Sequence, residues 1–327
     1  LDWSGKRVLV TGAGGFIGSH VTEKLVDAGA KTRAFVHYNS AGSAGWLDKS
    51  PARDEIEVVA GDITDRDSVR HAMDDIDVVL HLAALIAIPY SYSAPSSYVR
   101  TNIEGTLNVL QSARGAGVER IVQTSTSEVY GTARFAPIDE SHPLQGQSPY
   151  SATKIAADKL AESFYLSFKV PVVTLRPFNT FGPRQSARAI IPTIISQCLA
   201  GKKVRLGNLH PTRDLNYVSD IADGFLLAGS VPGAIGQTIH LGSGHEISIE
   251  ALAQTIIGLI DPDIEIERDD QRLRPEGSEV DRLIADNSLA RNILGWKPKV
   301  ELEEGLKRTI EWMREHVHQY RPNEYSV

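Results

Sequence analysis

The chain has 327 residues, 42% of them hydrophobic, enough for one large α/β domain or two intimately joined ones. Its formal charge of −7 supplies no electrostatic argument for a nucleic-acid partner. The single cysteine, Cys198, excludes a disulfide framework within the chain, and no run approaches the roughly 20 apolar residues that span a bilayer. Cys198 stands in an apolar stretch and reads as a small buried residue. The start of the chain lacks a charged region followed by a long apolar segment, so the expectation is a cytoplasmic protein without a membrane partner.

Val8, Leu9 and Val10 form a short apolar run and predict a buried parallel strand. Gly12, Gly15 and Gly18 follow, then an amphipathic stretch over 19–28. Strand, glycine turn and helix are the entry to a nucleotide-binding βαβ unit. Glycines let backbone N–H groups approach a pyrophosphate, and the helix N-terminus favours its charge. The spacing is G-x-x-G-x-x-G; the common G-x-G-x-x-G fingerprint would need glycine where Ile17 stands. Taken alone, the turn is either a cofactor loop or an ordinary tight connection.

Further strands are predicted over 31–37, 56–60, 77–83, 120–124 and 171–176, and helices over 65–73, 98–115 and 151–169. Residues 39–55 and 131–149 read as loops. Alternating strands and helices through 176 predict an α/β fold with a doubly wound parallel sheet. The pattern then changes. Pro177, Pro183 and Pro192 interrupt it, helical spacing returns over 190–200, 249–260, 288–294 and 302–316, and 261–280 is charged and irregular. The predicted organisation is a dinucleotide-binding domain over 1–177. A smaller substrate domain over 178–327 packs on the carboxyl ends of the strands, with parts returning to the sheet. Residues 320–327 read as a frayed tail.

Tyr150 and Lys154 stand four apart near the start of a predicted helix and share a face. A free phenol, with a pKa of about 10, is a poor general base at neutral pH; a nearby ammonium favours the phenolate. So tuned, Tyr150 can take a proton from a sugar or alcohol hydroxyl while hydride leaves the same carbon. A chain with ten tyrosines can carry such a pair by accident, and its place downstream of the glycine turn is what gives it weight. Thr124 to Gly131 reads TSTSEVYG at the end of the fifth predicted strand, so its hydroxyls and Glu128 face the same crevice.

Gly12/Gly15/Gly18, Asp62, HLAA at 81–84, Asn102, STSEVYG, Tyr150-x-x-x-Lys154, RPFNTFGP at 176–183, RDLNYVSDIA at 213–222 and LGWKP at 294–298 occur in that order. This series resembles the extended short-chain dehydrogenases/reductases of the nucleotide-sugar epimerase/dehydratase type, over nearly the whole chain. More narrowly, IPYSYSAPSSYVRTN, PLQGQSPYSATKIAADKLAESFY and RPFNTFGPRQSARAIIPTII are similar to the NAD-dependent 4,6-dehydratases of the legionaminic-acid pathway. Those act on a nucleotide-linked N-acetylglucosamine.

The resemblance implies NAD contacts from Gly12, Gly15, Phe16, Ile17 and Gly18 at the pyrophosphate, and from His37 and Asn39 after the second strand. Asp62 and Ile63 would flank the adenine, Leu82, Ala83 and Ala84 would line the cofactor, and Asn102 would lie in its pocket region. Tyr150 is implied as base, and Lys154 as its partner and a ligand of the nicotinamide ribose. Thr126 would hold the sugar O4, with Ser127 and Glu128 beside it. Asn179, Arg188, Arg213 and Arg282 match nucleotide-diphosphate contacts, a task suited to the forked guanidinium. The chain departs from its resemblance twice. His37 replaces the acid that binds the adenosine ribose in many relatives, which leaves NADP open. Ser127 replaces the aspartate of many 4,6-dehydratases, and Ser-Glu is also the pattern of sugar-nucleotide decarboxylases.

The expected activity is 4,6-dehydration of UDP- or GDP-N-acetylglucosamine: oxidation at C4, removal of the C5 proton by Glu128 as water leaves C6, and hydride return to C6. A UDP-glucuronate decarboxylase is the first alternative, ranked lower because Leu283 in DRLIAD stands where a second arginine is expected. A UDP-sugar 4-epimerase is the second. A non-enzymatic cofactor-binding sensor would not need Tyr150, Lys154 and Glu128 together. The resemblance also implies a homodimer through helices around 98–113 and 151–168.

Overall fold

In the computed structural model, which describes residues 2–320, the first half of the chain alternates strand and helix. The strands are β1 (Arg7–Thr11), β2 (Lys31–His37), β3 (Ile56–Gly61), β4 (Val78–His81), β5 (Arg120–Thr124) and β6 (Val172–Pro177). Between them lie α1 (Phe16–Asp27), α2 (Arg66–Ala72), α3 (Ile88–Ser93), α4 (Pro95–Tyr98), α5 (Gly105–Ala116) and α6 (Pro149–Phe168). The second half carries β7 (Asn179–Phe181), α7 (Ile190–Ala200), β8 (Lys203–Leu206), β9 (Thr212–Arg213), β10 (Leu215–Tyr217), α8 (Val218–Ser230), β11 (Thr238–Leu241), β12 (Ile247–Ser248), α9 (Ile249–Ile260), β13 (Glu265–Arg268) and α10 (Leu302–Glu315).

The main sheet has seven strands in the order β11-β6-β5-β4-β1-β2-β3, all paired in parallel. Strand periodicity of two divides the apolar run of β1 between two cores. Val8 and Val10 face one core with Leu80, Val122, Leu25 of α1 and Phe225 of α8. Leu9 faces the other with Val79, Ile121, Val109 and Leu110 of α5 and Ala161 of α6. Both faces are covered, as an all-parallel sheet requires. The chain steps from β1 out to β3, then returns to β4 on the other side of β1, so the topological switch point lies between β1 and β4. A third core joins α7, α9 and α10 through Ile194, Ile195, Leu252, Ile256, Leu306 and Ile310, and forms the smaller C-terminal unit.

Several expected elements change. The helix over 98–115 is present and continuous but changes its winding: α4 passes into a π-helical stretch, Val99–Glu104, before α5. Such turns commonly mark functional sites, and Asn102 sits in this one. The long helix begins two residues before the predicted position, because Ser148 caps it in a capping box with Ser151 and Pro149 takes the first helical position. The stretch 261–280 is not wholly irregular, since β13 pairs in parallel with β8. Alternating charged and apolar residues at an exposed edge hid that strand. Residues 290–294 wind as a π-helix. Tyr320 is not frayed: it is buried, and its hydroxyl donates to the Gln185 carbonyl at 2.9 Å. The rest of the expected tail, 321–327, lies outside the described residues. Cys198 is buried, and burial pushes its thiol up to about 12. Among the described residues no helix is long and apolar enough to cross a membrane.

Candidate active site

The glycine turn closes on itself. Gly12 has φ +71°, and a Cβ there would lie 2.8 Å from the Ala83 nitrogen. At Gly18 a Cβ would lie 2.1 Å from the Gly12 carbonyl oxygen. No side chain caps the start of α1 at Gly15, so the first-turn backbone of Phe16 and Ile17 faces the turn without a side-chain acceptor. An uncapped helix start over a glycine turn, at the switch point of a parallel sheet, fits a dinucleotide pyrophosphate. Leu82, Ala83 and Ala84 continue from β4 as the half-buried opposite wall.

At the end of β2, His37 is exposed and its Nδ1 lies 4.0 Å from Asp62 Oδ2, so the fold brings these two candidates together. Asn39 is occupied within its own loop, accepting from the Ser43 nitrogen at 3.1 Å and donating to the Ser43 carbonyl at 2.8 Å. The Ile63 side chain is buried against α5, and its carbonyl accepts from Asn108 at 3.0 Å. Asn102 is also fully engaged. Its amide donates to the Leu85 carbonyl at 2.9 Å and to Thr153, and its oxygen accepts from the Leu85 nitrogen at 2.9 Å. It ties the wall after β4 to α6.

Tyr150 and Lys154 meet the 124–128 segment where β5 ends. Tyr150 is 7% exposed, with the Tyr98 ring edge-on at 6.3 Å and its hydroxyl within reach of the Thr126 side chain. Lys154 Nζ donates to the Thr124 carbonyl at 2.6 Å. The expectation that the ammonium lowers the phenol is overturned. Burial dominates and raises Tyr150, while burial also lowers Lys154 to about 8. Ser127 is buried, and Glu128 is half-buried with its nitrogen donating to Thr126 Oγ1 at 3.2 Å.

The candidates from the second half diverge. Arg213 is 6% exposed, donates to the Thr212 carbonyl at 2.9 Å, and lies 3.8 Å from Glu279. Burial lowers its pKa, opposed first by the charge of Glu128, which places Arg213 beside the Thr126–Glu128 turn. Asn179 carries a buried oxygen without a hydrogen-bond partner. Arg282 is half exposed and clasped by Glu246 at 2.9 Å. Arg188 is exposed near Tyr98, with Nε 3.3 Å from Ser186 Oγ. Sequence reasoning missed Arg274. Its Nη1 is buried without a hydrogen bond, 3.9 Å from the Glu279 carboxylate it shares with Arg213. Its only signal was an arginine inside a stretch read as irregular. Arg213 and Arg274 thus converge on the Glu279 carboxylate, with Glu128 and Asp281 also close to Arg213.

A doubly wound sheet, a glycine turn shaped for pyrophosphate and a buried tyrosine–lysine pair at a strand end define a dinucleotide-dependent enzyme of the extended short-chain dehydrogenase/reductase type. The chain belongs to the family described as GDP-mannose 4,6 dehydratase, whose model matches residues 9–309. It is 34% identical to a UDP-glucose 4-epimerase of Mycolicibacterium smegmatis over 94% of this chain and 98% of that one. It is 35% identical to UDP-glucuronic acid decarboxylase 6 of Arabidopsis thaliana over 93% and 87%. Among solved structures it is similar to a dTDP-glucose 4,6-dehydratase of Streptomyces venezuelae solved with NAD bound. That match has a TM-score of 0.86 and 29% identity, and covers 97% of this chain and all of the other.

Proposed function

We propose that this protein uses NAD to oxidise C4 of the sugar in a nucleotide sugar, and completes the reaction on the resulting 4-ketone by 4-epimerisation or, for a glucuronate, by decarboxylation. The observation that carries the oxidation is Tyr150, buried at the strand end beside Thr126 with Lys154 one turn along. Thr126 and Tyr150 hold the 4-hydroxyl, and Tyr150 takes its proton; the cationic nicotinamide of bound NAD would favour the phenolate and offset the burial that otherwise raises this phenol. Bound NAD would supply hydride acceptance and return, held by the turn Gly12–Gly18, by His37 and Asp62 at the adenosine end, and by Lys154. NAD bound to the Streptomyces venezuelae relative supports NAD over NADP.

The completion step rests on Ser127. Water leaving C6 needs a proton donor, and Ser127 is a buried hydroxyl where an acid would stand. A 4-ketone is β to the C6 carboxylate of a glucuronate, so carbon dioxide leaves without such a donor. An epimerase needs only that the ketone turn over. Relatives named for epimerisation and decarboxylation support both. Leu283 does not count against decarboxylation. Its side chain lies in the core with Val129, Ile138 and Phe178, so the position does not face a ligand.

The second reading is 4,6-dehydration of UDP- or GDP-N-acetylglucosamine, the chemistry of the legionaminic-acid likeness. Glu128 favours it, as a carboxylate beside Thr126 able to remove the C5 proton. One experiment separates the readings: UDP-glucose, UDP- and GDP-N-acetylglucosamine and UDP-glucuronate are offered in heavy water, and products are read by mass and NMR. A 4-epimer without solvent label, or loss of carbon dioxide from UDP-glucuronate, is expected. Product lighter by one water with deuterium at C5 would establish the second reading instead. No turnover of any of the four would overturn C4 oxidation. We further propose a homodimer through the α5–α6 side, supported by exposed Leu166 and Phe168 at the end of α6 and Val99 before α5.

A further inference from the structure

We propose that Asp158 is a positioning residue of the active site, which anchors the segment after β5 against α6 and fixes the Lys154 ammonium in place. The inference rests on the reading of Tyr150 and Lys154 as the reacting pair.

Tyr150, Lys154 and Asp158 stand on successive turns of one face of α6. Each meets its own residue of the strand end. Lys154 donates to the Thr124 carbonyl at 2.6 Å. Asp158 Oδ2 accepts from the Ser125 hydroxyl at 2.7 Å. Tyr150 reaches the Thr126 side chain. The same Asp158 oxygen accepts from Arg176 of β6, at 3.1 Å from Nε and 2.9 Å from Nη2. Arg176 Nη1 donates to the Tyr130 hydroxyl at 2.5 Å, and that hydroxyl lies 2.5 Å from His240 Nε2 on β11. Segment 125–130, with Glu128 inside it, is therefore held at both ends by one buried chain of polar groups.

Two features point past a structural role. Asp158 and Arg176 are 4% and 6% exposed, and a buried ion pair contributes little net stability, because desolvation offsets attraction. What such a pair supplies here is a fixed geometry. Second, the other Asp158 oxygen is buried without a partner, so the carboxylate is not saturated by its neighbours. Its charge acts on Lys154, one turn away. The groups set against that ammonium are Asp158 on α6, the Thr124 carbonyl on β5, and His81 on β4, which burial holds neutral with a pKa near 3, while Tyr150 stands one turn back on the same helix face. Glu128 lies across Tyr150, and Arg176 is on β6. Asp158 is the charge that opposes desolvation of Lys154.

The test follows the Lys154 ammonium by NMR of lysine-labelled protein, its signal identified by its loss in Lys154→Arg. In Asp158→Asn the Lys154 titration midpoint should fall by about one pH unit, and Asp158→Glu should restore it. A folded Asp158→Asn with an unmoved midpoint would overturn the proposal. Ser125→Ala keeps the carboxylate. It should leave the midpoint in place and lower kcat about tenfold with little change in KM, the loss expected for one hydrogen bond to a charged group. An unchanged kcat would overturn the anchoring, and this arm stands even if Asp158→Asn fails to fold. If the wild-type protein turns over no nucleotide sugar, the functional reading fails, while the titration still decides what Asp158 does to Lys154.

Discussion

Alanine at Gly18 should destabilise the protein and release its cofactor, although alanine favours a helix. Gly18 lies in the first turn of α1, where the exchange would ordinarily gain up to about 1 kcal/mol. The added methyl would stand 2.1 Å from the Gly12 oxygen, 2.9 Å from its carbon and 3.0 Å from the Ala13 Cα. All three are backbone atoms of the glycine turn, so no side chain can swing aside. Overpacking of this kind costs about 1–3 kcal/mol, and a contact this short belongs at the upper end. The net effect should be a loss of about 2 kcal/mol, accompanied by displacement of the glycine turn proposed to hold the pyrophosphate. Gly258→Ala is the control. It lies in the last turn of α9 with nothing within 4 Å of an added Cβ, and should gain about 0.5–1 kcal/mol. Urea unfolding at unchanged m reads both, and NAD remaining with the protein after gel filtration reads the site. A Gly18→Ala protein as stable as Gly258→Ala, with its NAD retained, would refute the close approach.

Tyr150→Phe should keep NAD and bind nucleotide sugar while C4 oxidation slows by about 10²–10⁴-fold, read as reduced nicotinamide absorbance in a single turnover; undiminished formation would remove Tyr150 from the mechanism. Arg213→Ala should raise KM about tenfold or more, because a buried guanidinium that meets its nearest carboxylate only at 3.8 Å is available to a diphosphate; Arg282→Ala should change KM by less than about threefold, since Glu246 already holds that exposed side chain. His81 and His240 are kept neutral by burial, with pKa values near 3 against an ordinary 6.5. Between those values the unfolded chain binds protons that the folded chain does not, so stability should be complete above pH 6.5 and fall as pH drops toward 3. His81→Asn should flatten that slope in urea midpoints measured across the range, and an unaltered slope would contradict the neutral assignment.

The chain's local geometry was legible in its sequence. The run Val8–Val10, the glycines at 12, 15 and 18, and the four-residue step from Tyr150 to Lys154 are set by backbone periods of two and 3.6 and by the absence of a Cβ. They therefore indicated the parallel sheet, the turn and the tyrosine–lysine pair without knowledge of distant neighbours. What depends on neighbours far along the chain was decided by the tertiary structure. Burial, not the adjacent lysine, governs Tyr150. Asp158 lies one helical turn from Lys154, yet its link to Arg176 exists only because β6 pairs beside β5. Arg282 and Arg213 look alike as sequence, but one meets Glu246 at the surface and the other is enclosed beside Glu128 and Glu279. Leu283 reads as a missing arginine until its side chain is found in the core. Periodicity records which way a residue faces along its own element. Charge state, pairing and access to a ligand follow from which elements the fold stacks against it, because desolvation and Coulomb interactions act through space rather than along the chain.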